Sequence, residues 1–231
     1  MKITVIGASG LIGNKVVDLL TAEGHHVVAA SRASGVDVLT GGGLAEALSG
    51  ADALVDVVNS PSFDDDPVME FFTKSTTNLV DAAKRAGVGH YVALSIVGVD
   101  GLPDSGYMRA KVVQEKIITE SGLRYTVVRA TQFAEFTDAI TDSMTVGDQV
   151  RVPDALIQPI AAADVANDVA RAAAAEPLGG VVNIGGPEKI SFERMARDVL
   201  AHRGDDKTVV VDPQVAYYGT VLAERSLVTP D

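Results

Sequence analysis

The sequence predicts an α/β fold built on a doubly wound parallel sheet, with a small C-terminal lobe. Short apolar runs rich in β-branched residues alternate with helical patterns over the first 130 residues. Such alternation is typical of right-handed βαβ units with helices on both faces of a parallel sheet. The chain has 231 residues, 47% of them hydrophobic, which is enough for one well-buried domain and cramped for two.

The predicted elements follow from the periodicity of apolar residues and from the residues that interrupt it. The predicted strands cover residues 3–6, 27–30, a short segment ending at 37–38, 53–58, 91–94 and 125–129. The predicted helices cover residues 10–22, 44–48, 68–86 and 107–121. Gly24 and Gly87 stand where left-handed C-caps are expected, and Asp66-Pro67 supplies an N-cap and a first-turn proline.

The pattern loosens after about residue 133. Short strands are predicted at 149–152 and 181–184, and helices at 163–174, 192–202 and about 213–222. We therefore expect one domain over residues 1–231, with a core of about 1–132 and a smaller substrate lobe within 133–231.

Charge and composition exclude several function classes. A net charge of −12 and no cluster of Lys and Arg argue against binding to nucleic acid or to an anionic membrane surface. No apolar run approaches the length of about 18 residues that a membrane span needs. The absence of cysteine leaves no disulfide or thiolate nucleophile, and no His spacing indicates a metal site. We expect a cytoplasmic protein that acts on a small molecule, and self-association is left open.

Three glycines directly after the first strand predict a dinucleotide-binding loop, the signature of a Rossmann fold. Gly7 allows the tight turn, Gly10 lets a pyrophosphate approach the backbone, and Gly13 lets the following helix pack on the strand. The phosphates are expected on free amides at the start of that helix, where the helix dipole favours anions. The residues assigned to this loop are Gly7, Ser9, Gly10, Leu11, Ile12 and Gly13.

The end of the second strand predicts which dinucleotide is preferred. An acidic residue about 20 positions after the glycines usually binds the ribose 2′-hydroxyl of NAD. This chain has Ser31 and Arg32 there, which can hydrogen-bond and pair with a 2′-phosphate. We therefore expect NADP(H) to be preferred over NAD(H). Asp37 and Val38 are expected to cover the adenine, and Asn59 and Ser60 to lie beside the nicotinamide half.

Ser95, Tyr107 and Lys111 form the candidate catalytic group. Tyr107 and Lys111 are four residues apart and share one helix face. A nearby ammonium is expected to lower the pKa of the phenol from about 10 towards the working range. Ser95 ends the preceding strand and can bind the same substrate oxygen. The group could then protonate a carbonyl oxygen while hydride arrives from the nicotinamide.

At these residues the chain resembles the short-chain dehydrogenase/reductase superfamily, which combines Gly-x-x-Gly-x-x-Gly with Tyr-x-x-x-Lys. Its atypical NmrA-like branch of NAD(P)H-binding proteins is more similar still. The similar segments are Gly7-Ala-Ser-Gly-Leu-Ile-Gly, Leu94-Ser-Ile-Val-Gly-Val, Tyr125-Thr-Val-Val-Arg-Ala-Thr-Gln-Phe and Gln158-Pro-Ile-Ala-Ala-Ala-Asp-Val-Ala. Family members often run further, which implies that part of the lobe is missing here.

The resemblance implies roles for the catalytic group. Tyr107 would be the proton donor, Lys111 would contact the nicotinamide ribose, and Ser95 would orient the substrate carbonyl. We therefore expect an NADP(H)-dependent oxidoreductase acting on a small carbonyl or quinone-type substrate. Many NmrA-like members lack the tyrosine and act as redox-responsive regulators, so the alternative is a non-catalytic NADP(H) sensor that binds a protein partner.

Substrate-pocket residues are expected from proximity alone. They lie after the strand at 125–129 and in the predicted lobe, which would cover the ends of the strands. They are Thr131, Gln132, Phe133, Phe136, Pro159 and Tyr217.

Overall fold

The computed structural model describes residues 1–230. Its strands are β1 (Lys2–Ile6), β2 (His26–Ala30), β3 (Ala53–Asp56), β4 (His90–Ile96), β5 (Tyr125–Ala130), β6 (Thr145–Val146), β7 (Gln149–Val152), β8 (Leu156–Ile157), β9 (Gly180–Ile184), β10 (Ile190–Ser191), β11 (Thr208–Val211), β12 (Ala216–Tyr217) and β13 (Thr220–Val221). Its α-helices are α1 (Leu11–Ala22), α2 (Leu44–Leu48), α3 (Asp65–Ala86), α4 (Gly106–Thr119), α5 (Thr137–Ser143), α6 (Ala162–Ala174) and α7 (Phe192–Arg203).

A six-stranded sheet in the order β2-β1-β3-β4-β5-β9 forms the centre of the molecule. All five of its strand pairs are parallel. Helices α2, α3 and α4 pack on one face, and α1 and α6 pack on the other. The predicted doubly wound α/β fold is therefore confirmed. The strand order reverses between β1 and β3, and ligands bind at such a reversal, beyond the carboxyl ends of the strands.

The boundary expected near residue 132 divides elements that belong together. Strand β9 pairs in parallel with β5, from Thr126 opposite Gly180 to Ala130 opposite Ile184. Helix α6 packs against α1 over the same sheet face, through small and branched residues that are fully buried. Strand β9 and helix α6 were both expected in the lobe, but their apolar side chains pack against the central sheet and α1. Strand β9 pairs with β5 although about 50 residues separate them in the sequence, and no local pattern indicates this pairing.

The remaining C-terminal elements form a lobe with its own core. Strands β11-β7-β6 form one small sheet and β10-β8 another, and α7 packs on them around the buried Phe192 and Met195. The helix expected at about 213–222 is wrong. That segment is the hairpin β12–β13, turned by Tyr218 at φ +47° and Gly219 at φ +82°. Left-handed backbone at two consecutive positions suits a two-residue hairpin turn and excludes an α-helix.

Two smaller expectations also fail. Residues 37–38 form no strand, because Asp37 pairs only with Gly42 across a local turn, and α2 therefore connects β2 directly to β3. Helix α3 begins at Asp65 with Asp64 as its N-cap, not at Asp66-Pro67. Gly24 and Gly87 both have left-handed backbone, and Gly87 is the C-cap of α3, whereas the C-cap of α1 is Glu23, one residue before Gly24. Within residues 1–230 no helix is both long and apolar enough to cross a membrane.

Candidate active site

A cavity of about 590 Å³ lies where the strand order reverses, between the ends of β1, β3, β4 and β5 and the C-terminal lobe. Most of the residues predicted from the sequence line it. These are Gly7, Ser9, Gly10, Leu11, Ile12, Ser31, Arg32, Val38, Asn59, Ser95, Tyr107, Lys111, Thr131, Gln132, Phe133, Phe136 and Tyr217. Gly13, Asp37, Ser60 and Pro159 do not line it.

The glycine loop is shaped for close approach. Gly7 has φ +89°, and a Cβ there would come within 3.0 Å of the backbone of Val57. A Cβ on Gly13 would lie 2.1 Å from the carbonyl oxygen of Gly7, so Gly13 faces the turn and lets α1 pack against it. Gly10 is the N-cap of α1, has no capping side chain, and lines the cavity. The first amides of α1 lack intrahelical partners, as at any helix start, and are available to an anion.

A second loop, after β2, places a positively charged side chain at the cavity. Ser31 and the exposed Arg32 line it. The backbone amide of Ser31 donates to Ser34 Oγ at 2.9 Å, which fixes the turn. Asp37 was expected over the adenine, but its carboxylate accepts from the amide of Leu39 at 2.8 Å and so caps a local turn. Val38 alone of that pair lines the cavity.

Tyr107 lies among aromatic rings at the cavity wall. Its hydroxyl donates to Asn59 Oδ1 at 3.0 Å. The ring centres of Phe63 and Tyr218 lie 5.1 and 6.0 Å from its own, and that of Phe72 lies 6.1 Å away. Burial raises the pKa of the Tyr107 phenol above 10, with a smaller contribution from Tyr218 and opposed by the Asn59 contact. The phenol therefore keeps its proton at neutral pH.

The expectation that Lys111 lowers the pKa of Tyr107 is wrong for this structure. Lys111 shares the helix with Tyr107, but its Nζ donates to the carbonyl of Leu94 at 2.9 Å and to the side chain of Gln114. The ammonium also lies 4.6 Å from the centre of the Phe72 ring. The contacts with Leu94 and Phe72 come from distant parts of the chain, and they could not be deduced from the Tyr-x-x-x-Lys spacing.

Two polar atoms in the cavity wall have no partner among the described residues. Ser95 Oγ is one, in a side chain that is 4% exposed, and Gln132 Oε1 is the other. Buried polar atoms are nearly always hydrogen-bonded in folded proteins. Both atoms have almost no solvent-exposed surface, so a bound molecule reaches them only after a rotation of the side chain.

The expected substrate residues divide into two groups. Phe133, Phe136 and Tyr217 line the cavity, and the rings of Phe133 and Phe136 stack with centres 5.7 Å apart. Thr131 also lines it, but its hydroxyl donates to the carbonyl of Gln158. Pro159 does not line it, and its carbonyl oxygen packs against Gly186, where an added Cβ would lie 1.7 Å from that oxygen.

Ser60 is likewise turned away from the cavity. Its hydroxyl accepts from the amide of Ser62 at 3.2 Å, so it shapes the loop after β3 rather than the wall. Asn59, the other residue expected there, does line the cavity.

Sequence reasoning missed several residues of the site. Phe63 and Tyr218 line the cavity and flank Tyr107, but they lie in a loop and a hairpin turn that have no recognisable motif. Asp56 and Gln114 lie behind Lys111 and are fully buried. A carboxylate that ends the apolar run Ala-Leu-Val-Asp was a signal that could have identified Asp56.

The donor set of the cavity fits a dinucleotide. It offers a glycine turn and a helix start for phosphates, an arginine, two unpartnered polar atoms and aromatic walls. In the part of the chain that the structure describes, no group of three His, Asp or Glu side chains could hold a metal ion.

Comparisons with known proteins agree with this geometry. A model of the family described as NAD(P)H-binding matches residues 7–176. Among curated proteins, the photosystem II assembly factor Ycf39 of Cyanophora paradoxa is 28% identical over 165 residues, which are 63% of this chain and 51% of that protein. The chain spans about half the length of the curated relatives it matches.

Solved structures share the fold at low sequence identity. NADPH-dependent quinone oxidoreductase QOR2 of Escherichia coli, complexed with NADPH, superposes with a TM-score of 0.68 at 22% identity, covering 91% of this chain and 77% of that one. UDP-glucose 4-epimerase of Thermus thermophilus, complexed with NAD, gives 0.73 at 18% identity, covering 98% and 92%. One neighbour holds NADPH and the other NAD, so the shared fold does not determine the choice of dinucleotide.

Proposed function

The chain belongs to the NAD(P)H-binding family, within the NmrA-like, atypical short-chain dehydrogenases/reductases, and on that premise we propose that it is an NADPH-dependent reductase. Its substrate would be a small carbonyl or quinone-type acceptor that enters the cavity beside Tyr107. The observation that carries the proposal is the presence of the glycine loop, Arg32, Ser95 and Tyr107 on the walls of one cavity.

The glycine loop and the start of α1 would hold the pyrophosphate. Leu11 and Ile12 carry the first helical amides, and Gly10 leaves the backbone open to the cavity. Arg32 and Ser31 would hold the 2′-phosphate, because a guanidinium and a hydroxyl both donate to phosphate oxygens. No carboxylate of this loop lines the cavity to favour a free 2′-hydroxyl. This supports a preference for NADP(H) over NAD(H).

Reduced nicotinamide supplies a hydride when it is bound. Tyr107 would supply the accompanying proton to the substrate oxygen, since burial keeps its phenol protonated at neutral pH. Ser95 Oγ, which has no partner in the structure, would donate to the same oxygen and orient it once its side chain rotates towards the cavity. At neutral pH the phenol is therefore present in the protonated form that a proton donor in a reduction requires.

The aromatic walls support an apolar substrate, whose binding would rely on contact with the rings and not on charge. Phe133 and Phe136 line one part of the cavity, and Phe63 and Tyr218 stand beside Tyr107. Gln132 Oε1 would accept a hydrogen bond from a donor on either the cofactor or the substrate. We propose that all of these residues contact the bound molecules.

A second function is favoured by the curated relatives, which carry the name of an assembly factor. In that case the chain would bind NADP(H) and a protein partner without turnover. Consumption of NADPH, followed with a panel of aldehydes, ketones and quinones, separates the two functions. Turnover of any acceptor supports the reductase. Tight NADPH binding with no acceleration by the whole panel supports the non-catalytic binder.

A further inference from the structure

A fully buried carboxylate lies behind the candidate active site, and the proposed chemistry does not use it. Asp56 ends β3 and has no exposed surface. Its Oδ2 accepts from the hydroxyl of Tyr91 at 2.9 Å and from Gln114 Nε2 at 3.0 Å, and its Oδ1 accepts from the amide of Val58 at 3.2 Å. A buried carboxylate is costly unless it is hydrogen-bonded and matched by a cation.

Gln114 connects this carboxylate to Lys111. Its amide nitrogen donates to Asp56, while its carbonyl oxygen accepts from Lys111 Nζ. One side chain thus joins two buried ionisable groups: burial raises the pKa of Asp56, and the charge of Lys111 opposes that rise and favours the ionised carboxylate. The ammonium also donates to the carbonyl of Leu94 and lies over the Phe72 ring, so its position is defined on three sides.

We propose that Asp56 and Gln114 are positioning residues, which hold the Lys111 side chain charged and fixed in the cavity wall, where the dinucleotide binds. The carboxylate supplies the opposing charge, and the Gln114 bridge sets the direction of the ammonium. This inference rests on the proposed function, because it assigns Lys111 to the cofactor. It adds two residues that contact neither the cavity nor the reacting atoms.

The charges around Lys111 determine how the bridge should be tested. Asp56 faces it from β3, and Tyr91 of β4 donates to that carboxylate, while Tyr107 and Glu115 lie on α4 itself. The Glu115 carboxylate is held by Arg129 of β5 at 2.6 Å. Burial lowers the pKa of Lys111 to about 8, and Asp56 opposes this more than Glu115 does. The ammonium therefore loses its proton as the pH rises through about 8.

The first measurement is the titration of Lys111 in the protein without cofactor, by NMR of ¹³C-labelled lysine side chains, with the signal assigned from Lys111→Arg. Asp56→Asn should lower the pKa of Lys111 by about one pH unit or more, because a facing charge is lost. Tyr91→Phe is the matched control. It removes a hydrogen bond that favours the ionised form of Asp56 but leaves the carboxyl group in place, so it should lower the pKa of Lys111 less than Asp56→Asn does.

The second measurement is the affinity for NADPH as a function of pH. Wild-type affinity should fall as the pH rises through about 8, and in Asp56→Asn the fall should begin at lower pH. Gln114→Met keeps the Asp56 carboxylate and breaks the bridge. It should lower the pKa of Lys111, and it should weaken NADPH binding at neutral pH several-fold. This variant decides the question if Asp56→Asn does not fold.

The outcomes for the bridge and for the function are distinguishable. If Asp56→Asn or Gln114→Met folds and the titration of Lys111 is unchanged, the proposed bridge is overturned. A lower melting temperature alone would show only a structural role for these residues. A wild type that binds no NADPH at any pH overturns the proposed function, while the NMR titration still decides whether the bridge holds Lys111 charged.

Discussion

At the scale of single residues, Arg32 carries the choice between the two dinucleotides. Arg32→Ala should weaken NADPH binding about 10-fold or more and leave NADH binding nearly unchanged, because a charge-assisted contact reaches only the 2′-phosphate. Arg85→Ala is the matched control, since it removes the same charge from an exposed position outside the cavity. Titration of both dinucleotides checks the prediction, and equal losses for the two would rule out a contact with the 2′-phosphate.

Ser95 makes a prediction about stability as well as activity. Its hydroxyl is buried without a partner among the described residues, so Ser95→Ala should leave the melting temperature unchanged or raise it. The same variant should lower kcat/KM for the acceptor, because the donor to the substrate oxygen is lost. Thr4→Val is the control, since Thr4 Oγ1 donates to the carbonyl of Ala47 at 2.7 Å and its removal should lower the melting temperature. A clear drop in stability for Ser95→Ala would contradict a hydroxyl that is free for a ligand.

At the scale of elements, the turn from β1 to α1 separates packing from binding. Gly13→Ala would place a Cβ 2.1 Å from the carbonyl oxygen of Gly7, so the helix must shift. The free energy of unfolding should fall by about 1–3 kcal/mol, as for other overpacked sites. Gly10 differs, because its Cβ would meet only that same oxygen, at 3.3 Å.

Gly10→Val should therefore fold normally and lose dinucleotide binding, since the branched side chain fills the space that a pyrophosphate needs. Denaturant unfolding and NADPH titration of the two variants test the pair. A folded Gly10→Val protein that retains micromolar affinity would mean that the phosphates bind elsewhere.

The hairpin β12–β13 illustrates an element that local sequence did not predict. Its turn needs Tyr218 at φ +47°, a conformation that bulky residues rarely adopt. Tyr217 is buried in the lobe core against Phe192, and Tyr218 lies beside Tyr107. Tertiary packing of two adjacent tyrosines therefore fixes a turn that propensity alone does not favour.

At the scale of the whole molecule, the first five strands of the central sheet were predictable, because each strand and the helix after it are recognisable from the periodicity of nearby residues. Helix α2 (44–48) and the lobe strand β7 (149–152) have the predicted bounds, and the six strands of the central sheet differ by one or two residues at their ends. The return of β9 to the edge of the sheet depends on contacts far apart in sequence, and the sequence analysis placed it in the lobe. The same reason explains the site. Motif residues were found, whereas Asp56, Gln114, Phe63 and Tyr218 enter through tertiary contacts.

The central claim is that Tyr107 protonates the substrate in an NADPH-dependent reduction. The most direct test is the single-turnover rate of NADPH oxidation in wild type and in Tyr107→Phe, with an acceptor found in the panel. Tyr107→Phe keeps the ring among Phe63, Phe72 and Tyr218 and removes only the hydroxyl. NADPH affinity should hardly change, while the rate should fall about 10²- to 10⁴-fold, the usual contribution of a general acid. An unchanged rate would contradict the claim.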